Sequence, residues 1–392
     1  MQPLSLKLVL TLVAISGVFT LDVYLPGVPS TAKELSSTLG QINITFTAFA
    51  ITFAFAQLIL GPLSDHYGRK PILLLGLVLA VITTFLCAFA FAYWQLLILR
   101  ILQALGVSSF VVLNAIVRDL HDGPQATRWR AYLAAVSGIA IAIAPAFGSL
   151  AVKYVGWQGT FLLSDIILFF TLITVLLCYQ ETCHKEKHYL RKVLHTYMQL
   201  FSRQGSFILH TIQAAFAYSV HFSFILLSPL IIIEQLHLSL STYSVMMFIY
   251  GLSWLASGML TSKLTYLLDS SSIIFAGCSI LFVGTLSLFA FEIAVDINIY
   301  TLMCSILIMA VGAIMIRPTA ITLSLSSIAK ISGQAYAINN LIQFAFAGII
   351  ASLAGFYSRF ALVSIGFLAI FTSFAVILIQ YVIAKFFTTN SA

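Results

Sequence analysis

Residues 61–71 read GPLSDHYGRKP and gather Asp65, His66, Arg69 and Lys70 in a chain that is only 8% charged. On either side, residues 43–62 and 72–92 are dominated by Leu, Ile, Val, Ala, Phe and Thr. An apolar run of about 20 residues spans about 30 Å as an α-helix, which matches the hydrocarbon core of a bilayer. Two such runs joined by a charged turn read as a helical hairpin that crosses a membrane twice. The ionisable side chains hold the turn in water.

The same reading extends along the chain. Of its 392 residues, 61% are hydrophobic and 32 are Phe, and the mean hydropathy is +1.06. So few charges cannot cover that much apolar surface in water. Twelve apolar runs can be drawn, near 6–26, 43–62, 72–92, 95–116, 131–152, 159–179, 207–231, 243–264, 272–292, 298–317, 333–355 and 360–384. This predicts an all-α polytopic membrane protein with twelve transmembrane helices. The first run is too long for the apolar part of a secretory leader. It also carries Asp22-Val23-Tyr24-Leu25-Pro26 where a small-residue cleavage site belongs, so it is read as span 1.

Lys and Arg set the orientation. With the N-terminus in the cytoplasm, that side holds Lys7, Arg69, Lys70, Arg118, Arg128, Arg130, Lys185, Lys187, Arg191, Lys192, Arg203, Lys263, Arg317, Lys330 and Lys385. The other side holds Lys33, Lys153 and Arg359, a ratio of fifteen to three, and Arg100 stays inside the membrane. Both termini are then cytoplasmic, and the net charge of +7 needs no nucleic-acid partner. Cys87, Cys178, Cys183, Cys278 and Cys304 form no CxxC pair and read as buried or reduced thiols.

The starts of the runs repeat with an offset close to 200: 6 and 207, 43 and 243, 72 and 272, 95 and 298, 131 and 333, 159 and 360. Six spans is an even number, so both halves enter the membrane in the same sense, as two pseudo-symmetric six-helix bundles. A substrate site is expected between such parallel repeats near the midplane. The expected division is 1–179, a cytoplasmic linker at 180–206, and 207–392. In the linker, Tyr189, Leu190, Val193, Leu194, Tyr197, Met198 and Phe201 recur at helical spacing among basic residues, which suits an amphipathic helix on the anionic leaflet. The alternative for that segment, a metal held by Cys183, His184 and His188, is the weaker reading, and no metal or other cofactor is expected.

Within GPLSDHYGRKP, Gly61 and Pro62 let a helix end approach a neighbour and Gly68 permits a reversal. Asp65 can accept from an exposed helix N-terminus or pair with an arginine. The stretch resembles the signature loop of the major facilitator superfamily, G-x-L-a-D-r-x-G-r-k-x, at Gly61, Leu63, Asp65, Gly68, Arg69 and Lys70, with His66 departing from the usual basic residue. That resemblance implies the major facilitator fold and a cytoplasmic gate, in which Asp65 engages the start of span 11 near Ser332-Gly333 and Arg118 at the end of span 4. The duplicate position from Gly258 keeps a glycine and Lys263 but loses the Asp/Arg pattern.

Span 4 carries Leu96, Arg100, Gln103 and Gly106, which resemble the L-x-x-x-R-x-x-Q-x-x-G pattern of proton-coupled members. An intramembrane arginine either faces an internal partner or snorkels to the interface. Asp22, near the outer end of span 1, is its expected partner and the expected proton carrier; an interfacial or N-cap role ahead of Pro26 is the alternative. Asp165 in span 6 ranks below it. In span 5, Gly138, Pro145 and Gly148 resemble the exporter motif G-x(several)-G-P-x-x-G, with Ala144 in place of the glycine before proline; a generic small-residue interface is the other reading. LDVYLPGVP, RILQALG, VRDL, APAFGS, GWQGTF, SPL, EQLHLS and SGQAYAINNLIQF narrow the resemblance to the Bcr/CflA-type branch of drug:proton antiporters, with Gln158 where that branch commonly has arginine.

The helices expected to line a cavity offer Tyr24, Phe49, Gln103, Asn114, Tyr218, His221, Met246, Tyr250, Trp254, Asn339, Asn340 and Gln343. Aromatic, Met and amide side chains suit amphipathic small molecules, although each aromatic alone reads as packing and His221 as a hydrogen-bonded histidine. A Walker loop and a nucleophile elbow are absent from the sequence. The expectation is a monomeric, proton-coupled exporter of drugs or small metabolites in a bacterial inner membrane, and not an enzyme. A nutrient or siderophore importer working by proton symport is the alternative.

Overall fold

The computed structural model describes residues 3–121, 123–182, 205–294, 298–326, 328, 332–356 and 361–387. Among these, twelve helical spans are long and apolar enough to cross a membrane. Spans 1–6 are Leu6–Glu34, Leu39–Tyr67, Arg69–Cys87, Tyr93–Leu120, Arg128–Val155 and Gln158–Cys178. Spans 7–12 are Gly205–Gln235, Leu240–Leu264, Ser270–Ile293, Ile299–Ser326, Gln334–Ala354 and Ala361–Lys385. The expected linker helix and its Cys183, His184 and His188 lie outside the described residues.

Two compact units make up the chain: Met1–Val193 with Ser239–Phe248, and Leu194–Leu238 with Ile249–Ala392. In the first, span 1 packs on spans 5 and 6, and span 3 on spans 4 and 6. The second repeats this, span 7 on spans 11 and 12, and span 9 on spans 10 and 12. A small-residue contact is duplicated along with the pairing. A Cβ on Gly106 of span 4 would lie 2.5 Å from the Ala80 backbone nitrogen of span 3, and one on Gly312 of span 10 would lie 2.6 Å from the Leu281 nitrogen of span 9. Backbones this close gain dispersion contacts that lipid cannot supply, which is what joins helices in a membrane.

Most spans are continuous, but spans 1 and 4 are broken. Span 1 is α-helical over Pro3–Asp22, makes a 3-10 turn at Leu25–Gly27, and resumes over Val28–Glu34. Pro26 has no N–H to donate, so the helical ladder loses a bond at the break. Span 4 is helical over Tyr93–Val107, passes through a 3-10 turn at Ser108–Val111, and resumes over Val112–Leu120. Each broken span carries one ionisable residue deep in its apolar stretch, Asp22 and Arg100. Below the breaks the first unit closes on a core in which Leu10, Val13, Leu73, Leu77, Ala104 and Val107 are buried.

Candidate transport site

Three polar clusters interrupt this apolar frame. The first is the turn between spans 2 and 3, which is a single residue, Gly68, at φ +110°. There Arg69 folds back: its guanidinium pairs with Asp65 at 2.5 Å and Asp119 at 2.9 Å, and donates to Ser64 Oγ at 2.6 Å. Arg118 lies 3.6 Å from Asp65 and 3.8 Å from Asp119, so the expected Asp65–Arg118 pair forms. The role of N-terminal acceptor falls elsewhere. Glu181 receives the backbone N–H groups of Arg69 and Lys70, each at 3.0 Å, and so caps span 3. Neither Asp119 nor Glu181 was singled out from the sequence. The signal for Asp119 was present in VRDL, an Arg-Asp pair closing an apolar run.

The second cluster lies inside the first unit. Arg100 is fully buried, so it does not snorkel. Its guanidinium faces the rings of Phe49, Phe46, Tyr24 and Phe161 at 4.5, 5.0, 5.4 and 5.8 Å from their centres. Nη1 donates to Gln103 at 2.8 Å, and Gln103 donates to Thr84 of span 3 at 2.7 Å. Nε and Nη2 have no partner among the described residues. The expected ion pair with Asp22 does not form: the four ion pairs among the described residues all belong to the cluster at the span 2–3 turn. Four ring faces take the place of a carboxylate, each contributing about 0.5–2 kcal/mol when desolvated. Tyr24, Phe49 and Gln103, expected to line a cavity, are buried as the walls of this cage.

Asp22 is itself only 6% exposed. It also sits deeper than expected, because span 1 continues through its break to Glu34. The exporter-like motif of span 5 reaches this point. A Cβ on Gly148 would collide with the Val23 carbonyl and lie 2.9 Å from Pro26 Cγ. Ala144 packs with Phe19 and Val23, and Gly138 and Pro145 are buried in the same helix. At the far end of span 1, Trp157 and Gln158 donate to Glu34 at 2.8 and 3.0 Å, so the glutamine that departs from the branch pattern helps tie span 6 to span 1. Asp165 is half-buried with Oδ1 unpartnered.

The third cluster joins residues expected to line a cavity to an arginine that the sequence reading put elsewhere. Arg317 was counted on the cytoplasmic side, but span 10 runs on to Ser326 and holds it nine residues from that end, about 13 Å. The continuing run of Thr319, Ala320, Ile321, Thr322 and Leu323 was the signal. Its guanidinium lies 4.1 Å from the centre of the Tyr218 ring in span 7, and Nε donates to Gln343 of span 11 at 2.8 Å. Gln343 donates to Asn339, whose amide donates to Thr211 at 3.1 Å and Ser324 at 2.8 Å. Beside it, His221 Nδ1 and the Tyr250 hydroxyl are 2.7 Å apart, and the Trp254 ring lies 3.7 Å from that of His221. His221 is thus the hydrogen-bonded histidine expected. Asn340 is half-buried, and Asn114 of span 4 is exposed.

Comparison with known proteins places this geometry. Residues 10–352 match the family described as Major Facilitator Superfamily. An uncharacterized MFS-type transporter of Bacillus subtilis is 25% identical over 359 residues, 90% of this chain and 89% of that protein. A bicyclomycin resistance protein homolog of Haemophilus influenzae is 28% identical over 211 residues, 53% of each chain. The multidrug resistance protein MdtL of Klebsiella pneumoniae is 34% identical over 142 residues, 36% of each. A D-xylose-proton symporter shares the fold with a TM-score of 0.79 at 15% identity, over 96% of this chain and 97% of that one.

Proposed function

Because the chain belongs to the major facilitator superfamily, and is therefore a multi-pass membrane transporter, we propose that it exports drugs or small amphipathic metabolites in exchange for protons. Relatives named for resistance to bicyclomycin and to multiple drugs support that direction. The observation that carries it is the seat of span 5. Gly148 and Ala144, either side of Pro145 in the motif, pack on Val23 at the break in span 1, one residue from Asp22, so a movement of span 5 reaches that carboxyl directly. Asp22 is buried with no cation at ion-pair distance among the described residues, and a carboxyl in that setting changes protonation when its access to water changes. Asp22 is the proton carrier on this reading. Arg100 is the fixed cation of the same unit, and the Asp65–Arg69–Arg118–Asp119 cluster is the cytoplasmic gate.

The remaining assignments follow from the same reading. Counting Arg317 inside the membrane leaves the Lys/Arg ratio at fourteen to three, still with both termini cytoplasmic. The protein acts as a monomer in a bacterial inner membrane. Purified protein in liposomes with an imposed pH gradient tests the coupling. Substrate moves against the proton flow in wild type, and Asp22→Asn loses the dependence on the gradient. Co-directional movement would establish symport instead, and an unchanged gradient dependence in the variant would remove Asp22 as carrier.

A further inference from the structure

The Arg317 guanidinium is an unneutralised cation inside the second unit. The acids of 205–392 are Glu234, Asp269, Glu292 and Asp296, and spans 10, 11 and 12 contain none. Glu234, Asp269 and Glu292 sit at span ends, and among the described residues no ion pair includes Arg317. An intramembrane arginine without a counter-charge is costly, and a transporter keeps one where it meets cargo or a partner.

The surroundings show which. Tyr218 covers one face of the guanidinium at 4.1 Å, and Gln343 occupies the Nε position at 2.8 Å. Gln343 is itself held by Asn339, which Thr211 and Ser324 fix from spans 7 and 10. The plane of the guanidinium is therefore set by five side chains on three helices. Arg317 is only half-buried, and with Nε engaged by Gln343 the fork still offers the N–H donors of its two Nη groups. That pair of donors matches the two oxygens of a carboxylate. Around it, Tyr218 packs with Phe344 at 5.2 Å and Phe222 at 5.8 Å, and Trp254 packs on His221, so the flank is aromatic. One cation neutralises one carboxylate; a phosphate monoester, at about −1.5 to −2, would keep excess charge in an apolar setting.

We propose that Arg317 is the anion-binding group of the substrate site, and that the exported molecules include monocarboxylates on aromatic or apolar bodies. The proposal rests on the export reading for its biological direction, but its test does not. Equilibrium binding to purified protein at pH 7.5, with no gradient, compares 2-naphthoate, 4-phenylbenzoate and indole-3-acetate with their methyl esters. At that pH the acids are ionised. The acids are expected to bind about tenfold tighter than the esters, as for hydrogen bonds to a charged group. Arg317→Gln brings each pair within about twofold, and Arg317→Lys, a point charge without the fork, keeps about a threefold preference.

If no acid binds better than its ester in wild type, the proposal fails whatever the variants do. It also fails if Arg317→Gln keeps the full preference. Adding dioleoylphosphatidylglycerol is the last arm: erasure of the preference in wild type would assign the guanidinium to a lipid headgroup. Loss of proton coupling in liposomes with the acid preference intact would overturn the export reading alone.

Discussion

The two buried arginines answer the same problem in opposite ways. Arg100 is sealed: no part of it is exposed, four aromatic rings surround it, and its one side-chain hydrogen bond goes to Gln103 on its own helix. Arg317 is half-buried, covered on one face by Tyr218 and braced by an amide chain that runs through three helices. A sealed cation can act only on groups of its own unit, through its field. A braced cation with accessible donors can act on a molecule that arrives. The scaffold beneath them is duplicated, down to the Gly106 and Gly312 contacts, so the difference lies in the side chains laid on it and not in the helix arrangement.

The largest effect expected from breaking this contrast is at Arg100. Arg100→Met removes a buried charge that has no carboxylate to orphan. Transport falls by about a hundredfold or more, because the intramembrane cation is lost to the mechanism. Stability, however, stays level or rises, since replacing a buried charge by an apolar side chain of similar length relieves desolvation. The Oε1 of Gln103 then lacks its donor, which offsets about 1 kcal/mol. Flux in liposomes and thermal unfolding in detergent read the two separately. A variant that unfolds several degrees earlier would show that the aromatic cage needs the guanidinium to hold its shape, and the sealed cation would be structural.

A middle effect tests the shared scaffold. Alanine at Gly106 puts a methyl 2.5 Å from the Ala80 nitrogen, and alanine at Gly312 puts one 2.6 Å from the Leu281 nitrogen. In both, backbone must move, at a cost of about 1–3 kcal/mol. The two variants should lower the unfolding temperature by similar amounts. A large inequality would mean that the second unit is packed on other contacts and that the repeat is one of topology alone.

The fold was legible because its signals are long. Twelve runs and their repeated offset need no single residue to be placed correctly, and the charged turn at 61–71 fixed the hairpin from which the rest was counted. The site was legible where charge and motif coincided, as at Asp65, Arg69 and Arg118. It failed where a partner came from far along the chain. Glu181 reaches Arg69 across more than a hundred residues, and nothing local to either announces it. The Asp22–Arg100 pair failed for a different reason: opposite charges at similar apparent depth suggested an ion pair, but the Arg100 guanidinium faces four rings drawn from spans 1, 2 and 6. Arg317 was misplaced because the tenth run was drawn to end at residue 317, just before Pro318; proline in a membrane helix need not end it when neighbouring helices satisfy the freed carbonyl.

The smallest effect concerns how each unit starts its third helix, and it separates local from distant control. Span 9 of the second unit is capped from within: Asp269 accepts from the Ser271 and Ser272 N–H groups at 3.1 and 3.2 Å and from the Ser272 hydroxyl at 2.6 Å. Those bonds, the Ser272 hydroxyl first, hold the Asp269 carboxyl below its usual range. Its contribution is therefore present above the ordinary carboxylate pKa and is lost as pH falls through the depressed folded value. Span 3 of the first unit is capped from outside by Glu181, with Gly68 leaving the room: a Cβ there would come 2.5 Å from the Glu181 carboxylate. Glu181→Gln keeps one acceptor oxygen but loses the charge at the helix N-terminus, a change of about 0.5 kcal/mol at an exposed site. Hydrogen exchange should then rise both at residues 69–71 and at 179–182, because one bond set ties the two segments. Asp269→Asn should raise exchange only at 270–273. Were Glu181→Gln to stay silent at 69–71, the distant cap would be incidental, and Arg69 would owe its place to its side-chain contacts with Asp65, Asp119 and Ser64.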